Sequence, residues 1–182
     1  GIDLALLREH IAWDIGVAEV TRLIIQDTGF AAYLGGYSRL VVDLNRDMDD
    51  AAVVPLQSDG VTVPGNNLAP LELEARHERF HKPYHDHLAA LLSEHRPALI
   101  LSLHSFTPTL ESKPQEVRPW EVGVLYNEQE AASKLAIPFL EDAGYYVGDQ
   151  LPYSGKLLNA TMNRHAEAHN IPYVGIEMRQ DL

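Results

Sequence analysis

Apolar residues recur along this chain in two rhythms, and the alternation between them lays out its elements. Val17, Val20 and Ile24 repeat at helical spacing, which predicts a helix over about 15–28 with Asp14 as its cap and Gly29 as its stop. The run 39–43, Arg-Leu-Val-Val-Asp, reads as a short buried strand. Residues 47–69 hold Pro55, Gly60, Pro64, Gly65 and the pair Asn66-Asn67, the punctuation of a long loop, and loops of that length are functional or mobile. Pro70 opens a second helix with Phe80, Tyr84, Leu88, Leu91 and Leu92 on one side, and Pro83 should kink or divide it. Further on, strands are expected over 98–103, 122–126, 145–147 and 173–178. Helices fall between them, one capped by Asn127 with Glu130 and ending at Gly144, the other over 161–169.

Strands alternating with helices imply a three-layer α/β fold with a mostly parallel or mixed sheet flanked by helices. The chain reads as one domain over 1–182, without repeat, linker or low-complexity segment.

Composition narrows the function. With 182 residues and no cysteine, thiolate metal sites, disulfides and a cysteine nucleophile are excluded. A net charge of -12 repels phosphate backbones, so nucleic acid is not the expected partner. No apolar run approaches the ~20 residues of a membrane span, and no export signal opens the chain, which fits a cytoplasmic location.

Ligands of open α/β sheets bind beyond the carboxyl ends of the strands. Three predicted strands end in useful chemistry: Asp43-Leu44-Asn45-Arg46, His104-Ser105, and Glu177 with Arg179. His104 is either a hydrogen-bonded structural residue or one ligand of a metal, since catalytic zinc takes three protein ligands. Glu177 near the end of a buried strand needs a cation, a metal or a catalytic reason, and Arg179 two residues on could supply the cation. Arg39, Asn45 and Arg46 could grip a carboxylate through bidentate hydrogen bonds; the alternative is pairing with Asp43, Asp47 or Asp49. A rival signal is His77-Glu-Arg-Phe-His81, the H-E-x-x-H pattern of zinc helices, with His85 continuing it. Arg76, Arg79 and Pro83 argue instead for a solvated helix face.

Seven stretches in order resemble the N-formylglutamate amidohydrolase family. They are His10-Ile-Ala-Trp-Asp14-Ile-Gly16, Ser38-Arg-Leu-Val-Val-Asp-Leu-Asn-Arg46, Pro83-Tyr-His85, Ser102-Leu-His-Ser-Phe-Thr-Pro108, Arg118-Pro-Trp120, Pro152-Tyr-Ser-Gly155 and Ile176-Glu-Met-Arg-Gln-Asp-Leu182. The resemblance implies a zinc-carboxypeptidase-like α/β fold, related to aspartoacylase and succinylglutamate desuccinylase. It also implies zinc-dependent hydrolysis of a small anionic N-acyl amino acid. The expected substrate is N-formyl-L-glutamate, giving formate and glutamate as in histidine degradation. The alternatives are a related amidase or carboxypeptidase-like hydrolase with another N-acyl or peptide substrate, and a carboxylate-binding homologue without metal. By the same resemblance His104 matches a zinc ligand, and Glu177 the carboxylate that activates water. Asn45 and Arg46 match a pair that holds the substrate carboxylate, with Arg39 near the place of a further arginine. The family's early His-x-x-Glu-like pair finds no counterpart in the nine residues before His10, so it is expected outside this chain, as are an N-terminal strand and a closing C-terminal helix.

Overall fold

The computed structural model describes residues 3–182. Its helices are α1 (Val17–Thr28), α2 (Pro70–Arg76), α3 (Lys82–His95), α4 (Ala131–Asp142) and α5 (Ala160–His165). A small antiparallel hairpin, β1 (Gln57–Ser58) with β2 (Val61–Thr62), stands apart from the main sheet. The main sheet comprises β3 (Ile100–Phe106), β4 (Val122–Leu125), β5 (Val147–Asp149) and β6 (Tyr173–Arg179), in the order β3-β6-β4-β5. β3 runs parallel to β6 and β4 parallel to β5, while β4 and β6 are antiparallel, so the sheet is mixed. Helix α4 packs on β4, β5 and β6, and α1 on β3. No described helix is long and apolar enough to cross a membrane.

The core beneath α4 and α5 gathers Val124, Tyr126, Met162, Ala166, Tyr173 and Val174. Tyr173 is fully buried, and its hydroxyl accepts from Asn127 N (2.8 Å) and Asn159 Nδ2 (2.7 Å) while donating to Glu167 Oε1 (2.9 Å). Burying that polar tip is tolerable because every bond it could make is made.

One local expectation changes. Residues 39–43 form turns rather than a strand: Val41 and Val42 N–H bond back to Ser38 O, and Asp43 N–H reaches Val53 O. Leu40 and Val42 are nonetheless buried, so the apolar pattern reported burial correctly and period wrongly. The second helix is divided near Pro83, as expected, into α2 and α3. A π-turn over His77–His81 joins α2 to α3, with Lys82 N–H bonded to His77 O. Proline removes one N–H and crowds the carbonyl four residues back, and a widened turn accommodates both.

The side chains of that turn also correct the solvated-face reading. His77, His81 and His85 are 8%, 0% and 4% exposed, and they stack toward His165 of α5, itself 3% exposed. Burial, with the nearby charges of His81 and Arg164, pushes His85 down to about 3. Burial with Arg164 and His169 pushes His165 down to about 4. An unfolded histidine takes its proton near 6.5, so between there and these lower values the unfolded chain binds more protons. This contribution is complete above pH 6.5 and lost as the pH falls toward 4 and 3. Buried Glu177 is shifted the opposite way over this range, so the test uses Glu177→Gln. Its midpoint of thermal unfolding, followed calorimetrically from pH 6.5 to pH 4.5, is expected to fall, and a midpoint that rose would contradict the buried, neutral ladder.

Candidate active site

The parallel register of β3 and β6 sets His104 opposite Glu177. Register partners on adjacent strands project to the same face, so imidazole and carboxylate stand side by side above the sheet. On its other flank Glu177 faces Gly123 of β4. A side chain at Gly123 would press on the Leu151 carbonyl and come 3.3 Å from the Glu177 Cβ, so glycine keeps that flank open.

Asp14 completes the centre, in a role the sequence reading missed. It does not cap α1: the cap position is Gly16, in the left-handed region at φ 82°, without a side-chain bond. The Asp14 carboxylate turns inward instead, accepting from His104 Nδ1 through Oδ2 (2.8 Å) and from Arg39 Nη2 through Oδ1. Two cationic groups on one carboxylate outweigh the cost of burying it and hold Asp14 below its usual value. Burial alone would lower His104, but the bond to Asp14 and the charge of Glu177 raise it to about 9. Glu177, 8% exposed, moves the other way: burial lifts it to about 7, against the pull of His104, Arg39 and Arg118 and helped by the repulsion of Asp14. Its Oε2 is buried without a hydrogen-bond partner among the described residues. A carboxyl near neutrality with one open oxygen can both take and give a proton at physiological pH.

Arg118 and Tyr153 form the remaining wall. Buried Arg118 donates to Tyr153 Oη (2.8 Å) and to Thr107 O (3.4 Å), and its guanidinium lies 5.0 Å from the Tyr153 ring centre. The Arg118-Pro-Trp120 motif carried this signal, but no spacing rule ties it to a site 59 residues downstream.

The carboxylate-gripping trio divides. Arg39 belongs to the Asp14–His104 centre, with Asp43 and Glu177 adding to the negative field around it. Asn45 and Arg46 sit on the following turn and line a shallow pocket with Asp50, Asn159 and Asn163. Arg46 pairs with Asp50 at 3.1 Å and approaches Asp43 at 4.0 Å; Asn45 Oδ1 accepts from Thr161 N at 3.1 Å. Asp43 links the two halves through its field on Arg39 and its proximity to Arg46. Arg179 does not pair with Glu177; it bonds Asp181 and the carbonyls of Pro119 and Trp120.

Asp14 engages His104 Nδ1, which leaves Nε2 as the ring atom open to a metal, the orientation that an outer carboxylate imposes on ligating histidines. Zinc in a catalytic site takes three protein ligands. Among the described residues no group of three His, Cys, Asp or Glu is placed to hold an ion, so these residues do not make a full zinc site. His81 is no substitute: its Nε2 is bonded to Arg46 O, and its unpartnered Nδ1 belongs to no group of three ligands among the described residues.

A carboxyl tuned to neutrality on an α/β sheet, walled by two arginines and beside a braced histidine, is suited to moving protons during hydrolysis. The class is that of hydrolases acting on amide bonds. The family model of N-formylglutamate amidohydrolase matches residues 1–182, and the chain belongs to that family. Among solved structures, a gene product of Agrobacterium tumefaciens is similar, with 28% identity and a TM-score of 0.89 over 100% of this chain and 73% of that one. An N-formylglutamate amidohydrolase from Ralstonia eutropha JMP134 is 19% identical, with a TM-score of 0.59 over 79% of this chain and 62% of its own, and shares the fold. No curated protein matches the sequence.

Proposed function

We propose that the chain hydrolyses the amide bond of an N-acyl amino acid, N-formyl-L-glutamate first among them. The observation that carries this reading is Glu177, a buried carboxyl lifted to about 7 with Oε2 open. In the proposed reaction Glu177 takes the proton of the attacking water and delivers it to the leaving nitrogen. Arg118, held by Tyr153, and Arg39, held by Asp14, provide positive charge where the amide oxygen gains negative charge. Asn45 and Arg46 would hold a substrate carboxylate at the neighbouring pocket.

Zinc is the cofactor proposed for this reaction, with His104 Nε2 as one ligand; when bound, such an ion polarises the acyl oxygen and acidifies water. The described residues supply that single ligand, and the roles above are those of the chain's own side chains.

One experiment tests both parts. Formate release is compared between N-formyl-L-glutamate and an N-formylalkylamine lacking both carboxylates, with zinc content measured in the wild type and His104→Ala. The expected preference for the glutamate derivative is about 100-fold or more in kcat/KM, the worth of about two charge-assisted contacts. His104→Ala is expected to lose the zinc. Equal rates on both amides would sink the carboxylate reading, and equal zinc content would remove His104 as a ligand.

A further inference from the structure

The buried histidines of the π-turn and α3 are not used by the reaction, yet His81 and His85 each commit Nε2 to one short segment. His81 Nε2 donates to Arg46 O at 2.9 Å. One turn on, His85 Nε2 donates to Leu44 O at 3.0 Å, and Thr161 Oγ1 donates to the same carbonyl at 3.1 Å. A carbonyl can only accept, so both histidines carry their proton on Nε2. A neutral His85 then has a bare Nδ1, which accepts from His165 Nε2 at 2.8 Å and sets the tautomer of that ring too. The carbonyls on either side of Asn45 are thus both clamped. The Asn45 side chain is fixed as well, because Oδ1 takes the Thr161 N–H at the start of α5. That leaves the amide's donor end for a carboxylate.

Bulk packing would not require this arrangement. The neighbouring loop face is apolar, with Val42, Val53 and Val54 packed against Leu73 and Phe80, and leucines would fill such space without polar atoms to satisfy. Placing imidazoles there has a desolvation cost that only fixed hydrogen bonds offset. Nor do the rings form a metal site: Nε2 of His81 and of His85 is spent on a carbonyl, and among the described residues no group of three His, Cys, Asp or Glu is placed to hold an ion.

We propose that His81, His85 and His165 are positioning residues for substrate binding: a neutral imidazole ladder that holds the Leu44–Arg46 backbone so that Asn45 and Arg46 meet the substrate carboxylate. This rests on the reading of that segment as the carboxylate site. It predicts that disturbing the ladder acts on KM rather than on kcat, because no ring touches the reacting atoms.

The test compares His81→Leu, His81→Gln and Arg46→Ala on N-formyl-L-glutamate, with thermal unfolding of each. Glutamine can present an N–H near the position of Nε2, whereas leucine cannot. His81→Leu is expected to raise KM about 10-fold with kcat changed less than about 3-fold, and His81→Gln to restore most of that loss. A raised KM in Arg46→Ala with no change in folded His81→Leu overturns the ladder alone. An unchanged KM in Arg46→Ala overturns the carboxylate site and the ladder's role with it. Ring nitrogen NMR of the wild type decides independently of any variant's folding. Both His81 and His85 should be Nε2–H tautomers, and Nδ1–H in either would overturn the clamp.

Discussion

Replacing Asp14 by alanine is expected to lower stability by about 2–3 kcal/mol and to cut turnover about 10–100-fold. The stability figure starts from the ~3–5 kcal/mol cost of removing one partner of a buried ion pair, reduced because the Arg39 side chain is 37% exposed. Asp14 is the common anion of Arg39 and His104, and its loss leaves Arg39 facing His104 with Glu177 as the nearest compensation. For a domain of this size the unfolding midpoint should drop by roughly 4–12 °C. The turnover loss follows from the free rotation of His104 once Nδ1 has no acceptor. Asp14→Ser separates this account from simple helix capping. Serine caps helices as well as aspartate, so a capping role would be restored by it. Here the serine variant should behave like alanine, measured by calorimetry and by formate release; recovery of both would show that Asp14 serves α1 alone.

Asp14 also illustrates what the sequence could and could not convey. Its position before an apolar helical repeat made capping the local reading, and nothing local tells a side chain to turn toward a strand 90 residues away. The β3 and β6 runs were legible because continuous apolar stretches ending in polar residues mark buried strands, and their register then brought His104 beside Glu177. Residues 39–43 misled because a β-branched run signals burial before it signals period, and here burial is met by turns. The histidines of 77–85 carry the local signature of a solvated face because Arg76 and Arg79 flank them. Arg76 in fact donates to the Val41 carbonyl and Asn66 Oδ1, joining the helix to the same loop rather than facing solvent alone. Arg118 was visible only as part of a motif. Its partner Tyr153 is 35 residues on, a pairing set by the fold and not by spacing.

The second large effect falls on Glu177. Glutamine has the same shape, so Glu177→Gln should bind substrate with KM within about 3-fold of the wild type while kcat falls about 10²–10⁴-fold. Stability should hold or rise. A carboxyl lifted to about 7 binds its proton more tightly folded than unfolded, so its ionisation destabilises the fold as the pH rises from the unfolded value of 4.5 through 7. An uncharged amide removes that penalty at neutral pH. The decisive measurement is therefore formate release from N-formyl-L-glutamate by the wild type and Glu177→Gln side by side at pH 7. Proton transfer by Glu177 requires formate and glutamate in equal amounts from the wild type and a kcat at least about 100-fold lower in the variant, with KM and folding preserved. A variant that turned over at the wild-type rate would contradict it.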